Sequence, residues 1–514
     1  MKLDDFLVKT YGYNPDVKNV IQTYVDQWKS WYQGNVRDFH NYYIYNGNRK
    51  VKQKRYTMNM AKEISEDWSD ILWSEKCEIS MKDENSQKQF DELTDNLDLY
   101  AVINQALEKS GALGTESAVV SVYDLVQNED SMVLDVSDAK TRIDLVDFDW
   151  IYPLSWSNKG ITECAFGSVE FVDGKKYIIL SVHKIAKDKN YHIYNHLFRD
   201  DKDNLIEITG ENTQGSVGDA MKDFNTQSDV PWFAIFKPLL TNNLFSNSPF
   251  GISHFANAID NLKAVDLAFD SLTIEVRDGR RRTFVRADML NYDDGKEKLT
   301  FDPSDTTVYQ LPAGATKDDL IQTDSDNLRT DKQIAALNTT LNILGNKVGF
   351  GENHYHFDGT NLSTATAVIS SNSKLFRRKK KLEIGYESAI YDLIKAVCYA
   401  STKFGKYDIN TEDFVVQFDD SIIEDKEAES NRALREKSAE IISAAEYRER
   451  IFGETKAMAE KAIQEIEQDQ ESYEDILNSD EDQKPDQKDQ DDQKDLKNKK
   501  DKQKEEEKKN DNNL

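Results

Sequence analysis

The feature that most constrains this chain is a pair of narrow apolar stripes with something different between them. Phe255, Ile259, Leu262, Val265, Phe269, Leu272 and Val276 step along the sequence by three or four. Ile334, Leu337, Leu341, Leu344 and Val348 do the same. This spacing gathers the apolar side chains on one face of a helix several turns long, and a narrow stripe suits helices that pack side by side along a seam. The residues expected to carry that packing are Phe255, Ile259, Leu262 and Phe269 on the first helix and Leu337, Leu341 and Leu344 on the second. Residues 279–325 break the pattern with turn signals at Asp293-Asp294-Gly295, Asp302-Pro303 and Pro312-Ala313-Gly314, and with β-like runs at 283–285 and 307–311. Two helices thus hold a small β-rich module away from the rest of the chain. The periodicity is met both by a helical hairpin within one chain and by helices packing on copies of themselves in a closed ring.

Residues 1–110 read mainly as helix. Val20, Tyr24, Trp28 and Trp31 recur at helical spacing, as do Ile64, Trp68, Ile71 and Leu72. The tryptophans, Trp73 included, read as core packing rather than a base-stacking platform. From 117 to 200 the period shortens. Residues 117–125 and 142–152 are rich in Val, Ile, Phe and Tyr, and 161–172 and 176–183 flank the hairpin signal Asp173-Gly174. With a further strand at 191–198, the expectation is a mostly antiparallel meander followed by a polar loop over 201–230. After the second stripe come Gly345, Gly349, Gly351 and Gly359. Asn361 or Ser363 then caps a helix over 362–402, long for a globular domain, with Tyr386, Ile390, Leu393 and Val397 as its apolar face. A short strand at 414–418 and helical segments around Ile441, Ala445, Ala462 and Ile466 complete the ordered part. From 478 onward nearly every residue is Asp, Glu, Lys, Gln or Asn. Such a segment cannot bury enough surface to offset its ordering entropy and is expected to be disordered.

Composition narrows the class. A chain of 514 residues has room for several packed modules. Its net charge of −28 argues against gripping nucleic acid by phosphate neutralisation, but is compatible with a surface past which a duplex slides. No run of about 18 apolar residues offers a membrane span, so no membrane partner is expected. The start, Met1-Lys2-Leu3-Asp4-Asp5-Phe6, lacks the apolar core of a signal peptide. Cys77, Cys164 and Cys398 are far apart and odd in number, which points to folding in a reducing cytoplasm without disulfides.

Three groups of residues are candidates for chemistry or contact. The loop Gly349-Phe350-Gly351-Glu352-Asn353-His354-Tyr355-His356-Phe357-Asp358-Gly359 reads as a mobile loop between fixed helices, as a metal site, or as an ordinary polar loop. The two histidines lack the i, i+4 spacing of a helical zinc site and no third ligand stands nearby, so no metal or cofactor is expected. Arg277, Arg280, Arg281, Arg282 and Arg286 form one basic cluster, read either as a solvated face or as a contact for an acidic partner or phosphates. Arg377, Arg378, Lys379, Lys380 and Lys381 form another; five successive residues cannot share one helix face, so contacts between subunits are expected for most of them. A packaging ATPase would need a G-x-x-x-x-G-K-[ST] loop. Gly-Lys occurs at 174–175, 295–296 and 405–406, each time without the following Ser or Thr, so no enzymatic activity is expected.

The order of these parts, and several short stretches within them, resemble a known family. The stretches are Trp31-Tyr32-Gln33-Gly34; Met60-Ala61-Lys62-Glu63-Ile64-Ser65-Glu66-Asp67-Trp68; Ile151-Tyr152-Pro153-Leu154-Ser155-Trp156; Pro249-Phe250-Gly251-Ile252-Ser253; Thr364-Ala365-Thr366-Ala367-Val368; and Phe418-Asp419-Asp420-Ser421-Ile422. From about Tyr24 to about Ile466 the chain resembles the portal proteins of tailed phages with long non-contractile tails that infect Gram-positive bacteria. Ala367 departs from the family, which often carries Glu there.

The resemblance implies an α+β portal fold assembled as a ring of about twelve subunits at one capsid vertex. Residues 1–249 would form the wing, 250–278 and 326–348 the two stem helices, and 279–325 the β-rich clip between them. Residues 349–402 would supply a tunnel loop near DNA and a long kinked helix, 403–423 a strand returning to the wing, and 424–477 a helical crown, with 478–514 as the charged tail. Implied partners are double-stranded DNA passing without sequence specificity, the terminase large subunit, the head-tail adaptor, the major capsid protein and scaffold. The clip cluster would meet the motor, the adaptor or DNA. The implied location is the virion, reached by assembly in the host cytoplasm. A shell subunit or scaffold of a phage head, or a DNA-packaging enzyme, are the alternatives.

Overall fold

The computed structural model describes residues 2–46, 49–74, 76–124, 126–127, 133–135, 139–157, 160–201, 204–208, 223–245, 247–278, 282–286, 292–293, 296–299, 308–311, 321–324, 329–357, 365–410, 414–419, 433–439, 441–452, 459 and 461–463. The chain divides into two compact units, Met1–Ile423 and Glu424–Leu514. In the second, the described residues form helix Ala444–Phe452 and a helical turn at 433–438, linked by an ion pair between Arg450 and Glu436 at 3.2 Å. The charged tail lies outside the described residues.

The first unit is α+β, as expected. Asp173 and Gly174 both have positive φ, 50° and 71°, the geometry of a two-residue hairpin turn that matches the twist of its strands. They join Gly160–Val172 to Lys175–Ile185. Ile151–Ser157 on one side and Tyr191–Asp201 and Asn204–Glu207 on the other extend the antiparallel meander. Helix Leu3–Tyr11 covers it, packing Leu3, Phe6 and Leu7 on Ile178, Leu180 and Phe198. Strand Asp223–Asn225 also joins this sheet, inside the stretch expected to be a polar loop.

Residues 142–152, expected as one strand, belong to two sheets. Lys140–Asp147 pairs with Glu116–Tyr123, which in turn pairs with Phe233–Phe236. A 3-10 turn, Phe148–Trp150, then redirects the chain into the meander. The turn is hidden from sequence because buried Phe148 between Asp147 and Asp149 continues the polar–apolar alternation of a strand.

The helical region is also interrupted. Glu78–Met81 is a strand that pairs with Phe414–Gln417, and Asn41–Asn46 pairs with Arg49–Lys54 as a separate hairpin. In helix Asp16–Tyr32 the buried residues are Lys18, Ile21, Val25, Trp28 and Trp31. Val20 and Tyr24 are 47% and 38% exposed, so the true stripe starts one position later than the aromatic spacing suggested.

Helix Ala365–Phe404 runs through the centre of the core. Its Leu382, Tyr386, Ile390, Leu393, Ile394 and Val397 are fully buried, and the helix packs on strands Glu116–Tyr123 and Phe233–Phe236 and on helix Met60–Leu72. Asn361 and Ser363, the expected caps, lie outside the described residues.

The paired stripes form helices Ile259–Asp278 and Thr330–Val348, which pack on each other. Leu262, Val265 and Leu272 on the first and Leu337, Leu341, Leu344 and Val348 on the second are buried, while Ile259 and Phe269 are half-buried. The first helix starts at Ile259 rather than at 250. Residues 250–255 are instead non-helical and largely buried, and Phe255 fills the core ahead of a 3-10 turn, Ala256–Ala258.

Two buried aspartates anchor this helix, and periodicity could not identify them. Asp266 Oδ2 lies 3.0 Å from His40 Nε2, and its Oδ1 accepts from the Thr57 hydroxyl at 3.1 Å and the Met58 N–H at 3.0 Å. One turn on, Asp270 accepts from the Tyr56 N–H at 3.1 Å. A buried carboxylate is tolerated only when its oxygens are satisfied. Truncating it strands several donors. Asp266→Ala is therefore expected to lower unfolding free energy by ~2–4 kcal/mol in urea denaturation. Lys263→Ala on the exposed face should stay within ~0.5 kcal/mol. Equal effects of the two would refute the anchoring role.

Candidate functional site

The two packed helices end in a neck. Arg329 clamps Glu275 with Nε at 3.2 Å and a terminal nitrogen at 2.8 Å, and its backbone N–H adds a third bond at 3.1 Å. The fork geometry of guanidinium on carboxylate suits such a clamp. Beyond it, strand Arg282–Arg286 lies between Val308–Leu311, which is parallel to it, and Ile321–Asp324, which is antiparallel. Arg282 pairs with Asp324 in that register, so the chain leaves and re-enters the module side by side. This is the β-rich module expected between the stripes. Of its basic cluster, Arg277 is exposed at the end of the first helix and Arg282 and Arg286 begin and end the strand. Arg280 and Arg281 lie outside the described residues.

At the other end of the helix pair the chain turns sharply. Gly349 closes helix Thr330–Val348 with φ of 110°, and its N–H bonds to the Gly345 carbonyl at 3.1 Å. A Cβ there would come within 2.8 Å of the Arg378 side chain and 3.2 Å of Trp68, so both conformation and space call for glycine. Phe350 then plugs into the core. Its ring stacks on Trp68 at 4.5 Å and on His354 at 4.3 Å, and Trp68 in turn lies 5.7 Å from the His254 ring. The four rings form a column. One carboxylate holds the outer end: Asp67 accepts from the Tyr355 hydroxyl at 2.6 Å and stands 3.5 Å from His354 Nε2. Burial first, then the Asp67 charge, pushes the Tyr355 phenol far up, so it remains a donor. The Asn353 N–H bonds to Asn342 at 2.6 Å and the Phe357 N–H to Asn338 at 2.9 Å. The loop is therefore docked through Phe350, Tyr355 and its backbone. Gly351 is buried, Glu352, Asn353 and His354 are exposed, and His356 is half-buried. Asp358 and Gly359 lie outside the described residues.

The basic run on the long helix is divided by its helical phase. Lys379 is fully buried, 2.8 Å from Glu383, and donates to the Asp419 carbonyl. Lys380 also reaches Glu383, at 3.3 Å. The stem of Arg378 packs on Gly349. The expectation of subunit contacts is thus corrected for Lys379, which is committed within its own chain. Arg377 and Lys381 are exposed.

Among the described residues no group of three or more His, Cys, Asp or Glu side chains is gathered as a metal site requires. No described helix is long and apolar enough to cross a membrane. The three cysteines are buried as free thiols.

Residues 16–473 match the family model described as phage portal protein, SPP1 Gp6-like. The chain belongs to this family of portal proteins. A comparison with curated proteins gives no match. The resemblance carried by the short motifs is thereby established over nearly the whole chain. Portal proteins are structural components of the phage head rather than enzymes.

Two expectations follow for the loop and its column. Phe350→Ala empties a fully enclosed ring site and should destabilise the chain by ~3–5 kcal/mol, with faster hydrogen exchange over 350–357. Glu352→Ala, at an exposed position, should change neither. Burial also pushes the His254 and His183 imidazoles down to about 3. Free imidazole titrates near 6.5, so between about 6.5 and about 3 the unfolded chain binds more protons and stability falls as pH is lowered. The expected slope approaches ~1.4 kcal/mol per pH unit for each histidine. Burial raises the Glu116 and Asp392 carboxyls, which act in the opposite sense over this range. The check is therefore His183→Phe, whose urea midpoint should fall less between pH 7 and pH 5 than that of the unaltered protein. An equal fall would contradict this.

Proposed function

We propose that this portal protein assembles as a ring of about twelve copies at one capsid vertex and forms the channel through which double-stranded DNA is packaged and ejected. In this reading residues 1–249 are the wing, helices Ile259–Asp278 and Thr330–Val348 the stem, 279–325 the clip, 349–357 the described part of the tunnel loop, Ala365–Phe404 the helix behind it, 403–423 the return to the wing, and 424–477 the crown. The clip is the docking point for the terminase large subunit and later the head-tail adaptor, and its arginines face those partners or DNA. The major capsid protein and scaffold surround the ring. The assembly forms in the host cytoplasm and ends in the virion.

The observation that carries this reading is the neck: two packed helices joined by Arg329 and Glu275 lead at one end into described strands that pair with one another, Arg282–Arg286 with Val308–Leu311 and Ile321–Asp324. A predominantly helical scaffold would not contain three sheets of three or more strands. An acidic chain also suits a wall that a duplex must pass without sticking.

The seam residues Leu262, Leu337, Leu341 and Leu344 are buried inside one chain, so contacts between copies must use other faces of these helices. Leu267 on one and Ile343 on the other are 45% and 52% exposed. Negative-stain electron microscopy of the purified protein is expected to show closed rings with rotational symmetry and a central hole. Open filaments or closed shells would overturn the proposal. Ile343→Arg should reduce ring yield while leaving the unfolding free energy of the chain within ~0.5 kcal/mol.

A further inference from the structure

The hairpin Asn41–Asn46/Arg49–Lys54 joins none of the larger sheets. It is a two-stranded sheet by itself, and among the described residues neither outer edge pairs with another strand. Isolated two-stranded hairpins are marginal in water and need a third layer or partner. The composition is polarised against the rest of the chain. Between Asp38 and Glu63 there is no acidic residue, whereas the hairpin and its exit carry Arg49, Lys50, Lys52, Lys54 and Arg55. The whole protein nevertheless has a net charge of −28.

The register sorts the side chains. Tyr43 opposite Lys52 and Asn41 opposite Lys54 share one face; Tyr42 opposite Gln53 and Ile44 opposite Val51 share the other. Tyr43 is 53% exposed, Ile44 is 43% exposed, and the Lys50 ammonium lies 4.1 Å from the Tyr43 ring centroid. One face is therefore a lysine–tyrosine surface and the other a small apolar strip. Both chemistries are typical of contact surfaces, and Tyr43, Ile44, Lys50, Lys52 and Lys54 all remain exposed.

The root of the hairpin is rigid. Its two ends are tied to Asp266 and Asp270 through His40, Tyr56, Thr57 and Met58. Leu267 and Ser271 follow those aspartates by one residue, so the exposed face of helix Ile259–Asp278 lies beside the root, away from the seam with Thr330–Val348. A copy packed on that exposed face would lie within reach of the hairpin.

We propose that the hairpin is an intersubunit arm, whose lysine–tyrosine face docks on an acidic surface of a second copy of this chain. This rests on the ring reading, which supplies a neighbour at fixed orientation. Charge complementarity selects the occupant: a basic arm on an acidic protein finds in each neighbour the surface it lacks around itself. The arm contributes mainly to orientation and ring closure, while apolar stem contacts contribute affinity.

The test uses the full-length protein carrying p-benzoylphenylalanine in place of Tyr43. After irradiation, ring fractions are resolved on denaturing gels and the cross-linked peptides are mapped by mass spectrometry. The expected product is a ladder of covalent oligomers joined to an Asp/Glu-rich segment of the neighbouring copy. Rings without intersubunit cross-links would overturn the arm while leaving the ring reading intact. Cross-linking to added duplex DNA instead of a copy would also overturn it, making the hairpin a nucleic-acid contact. A chain that forms no oligomer at any concentration would overturn both readings. As a second measurement, the triple variant Lys50→Glu, Lys52→Glu and Lys54→Glu should raise the protein concentration for half-assembly at least about ten-fold at low salt. Its urea midpoint should match that of the unaltered protein, because these lysines are exposed. Unchanged assembly would refute the proposal.

Discussion

The packing of helix Ile259–Asp278 on helix Thr330–Val348 is the constraint on which the rest of the molecule depends. Each large aliphatic side chain removed from water along this seam contributes ~1.5–3 kcal/mol, and Leu262, Val265, Leu272, Leu337, Leu341 and Leu344 are all buried there. The seam brings Glu275 and Arg329 together at one end, so the chain between them returns to its starting point and can form a separate module. At the other end it places Gly349 against Trp68 and Arg378, which fixes where the following loop begins. The narrowness of the stripe has a further consequence: each helix keeps a second, exposed face for other contacts.

Buried polar groups locate parts rather than simply stabilising them. Asp266 and Asp270 join the hairpin root to a helix more than two hundred residues away in sequence. Lys379 ties the long helix to the carbonyl of Asp419. Glu116 is enclosed beside Asp147 and Lys109; burial first, then the Asp147 charge, raises its carboxyl well above the usual range. Desolvation makes mispairing of such groups expensive, so they select one arrangement among many that apolar packing alone would permit.

The loop after Gly349 shows how aromatic side chains limit a segment that glycines appear to free. Two positive-φ glycines flank Phe350, yet Phe350 lies between Trp68 and His354, and Tyr355 is held by Asp67. Any change of loop position must first unstack Phe350. The exposed residues of this segment are Glu352, Asn353, His354 and Phe357.

Much of this fold was legible in the sequence where period and burial coincide. The two stripes, the Asp173-Gly174 hairpin and the apolar face of the long helix all follow from local spacing, and the order of short motifs was enough to place the chain among portal proteins. Local spacing failed where tertiary contacts decide which side is inside. Val20 and Tyr24 look like a stripe but face outward, because the core is met by Ile21 and Val25. Residues 142–152 look like one strand, since β propensity reports burial and not which sheet buries it. The basic run at 377–381 looks uniform, but helical phase sends Lys379 into the core and leaves Arg377 and Lys381 exposed. Asp266 and Asp270 gave no signal at all, because an aspartate on a helix is ordinarily solvated. The sequence by itself thus determined the elements and their order, which depend on neighbours a few residues apart. Only the tertiary structure decided which polar groups are buried and which loops are docked, because those depend on desolvation by residues hundreds of positions away.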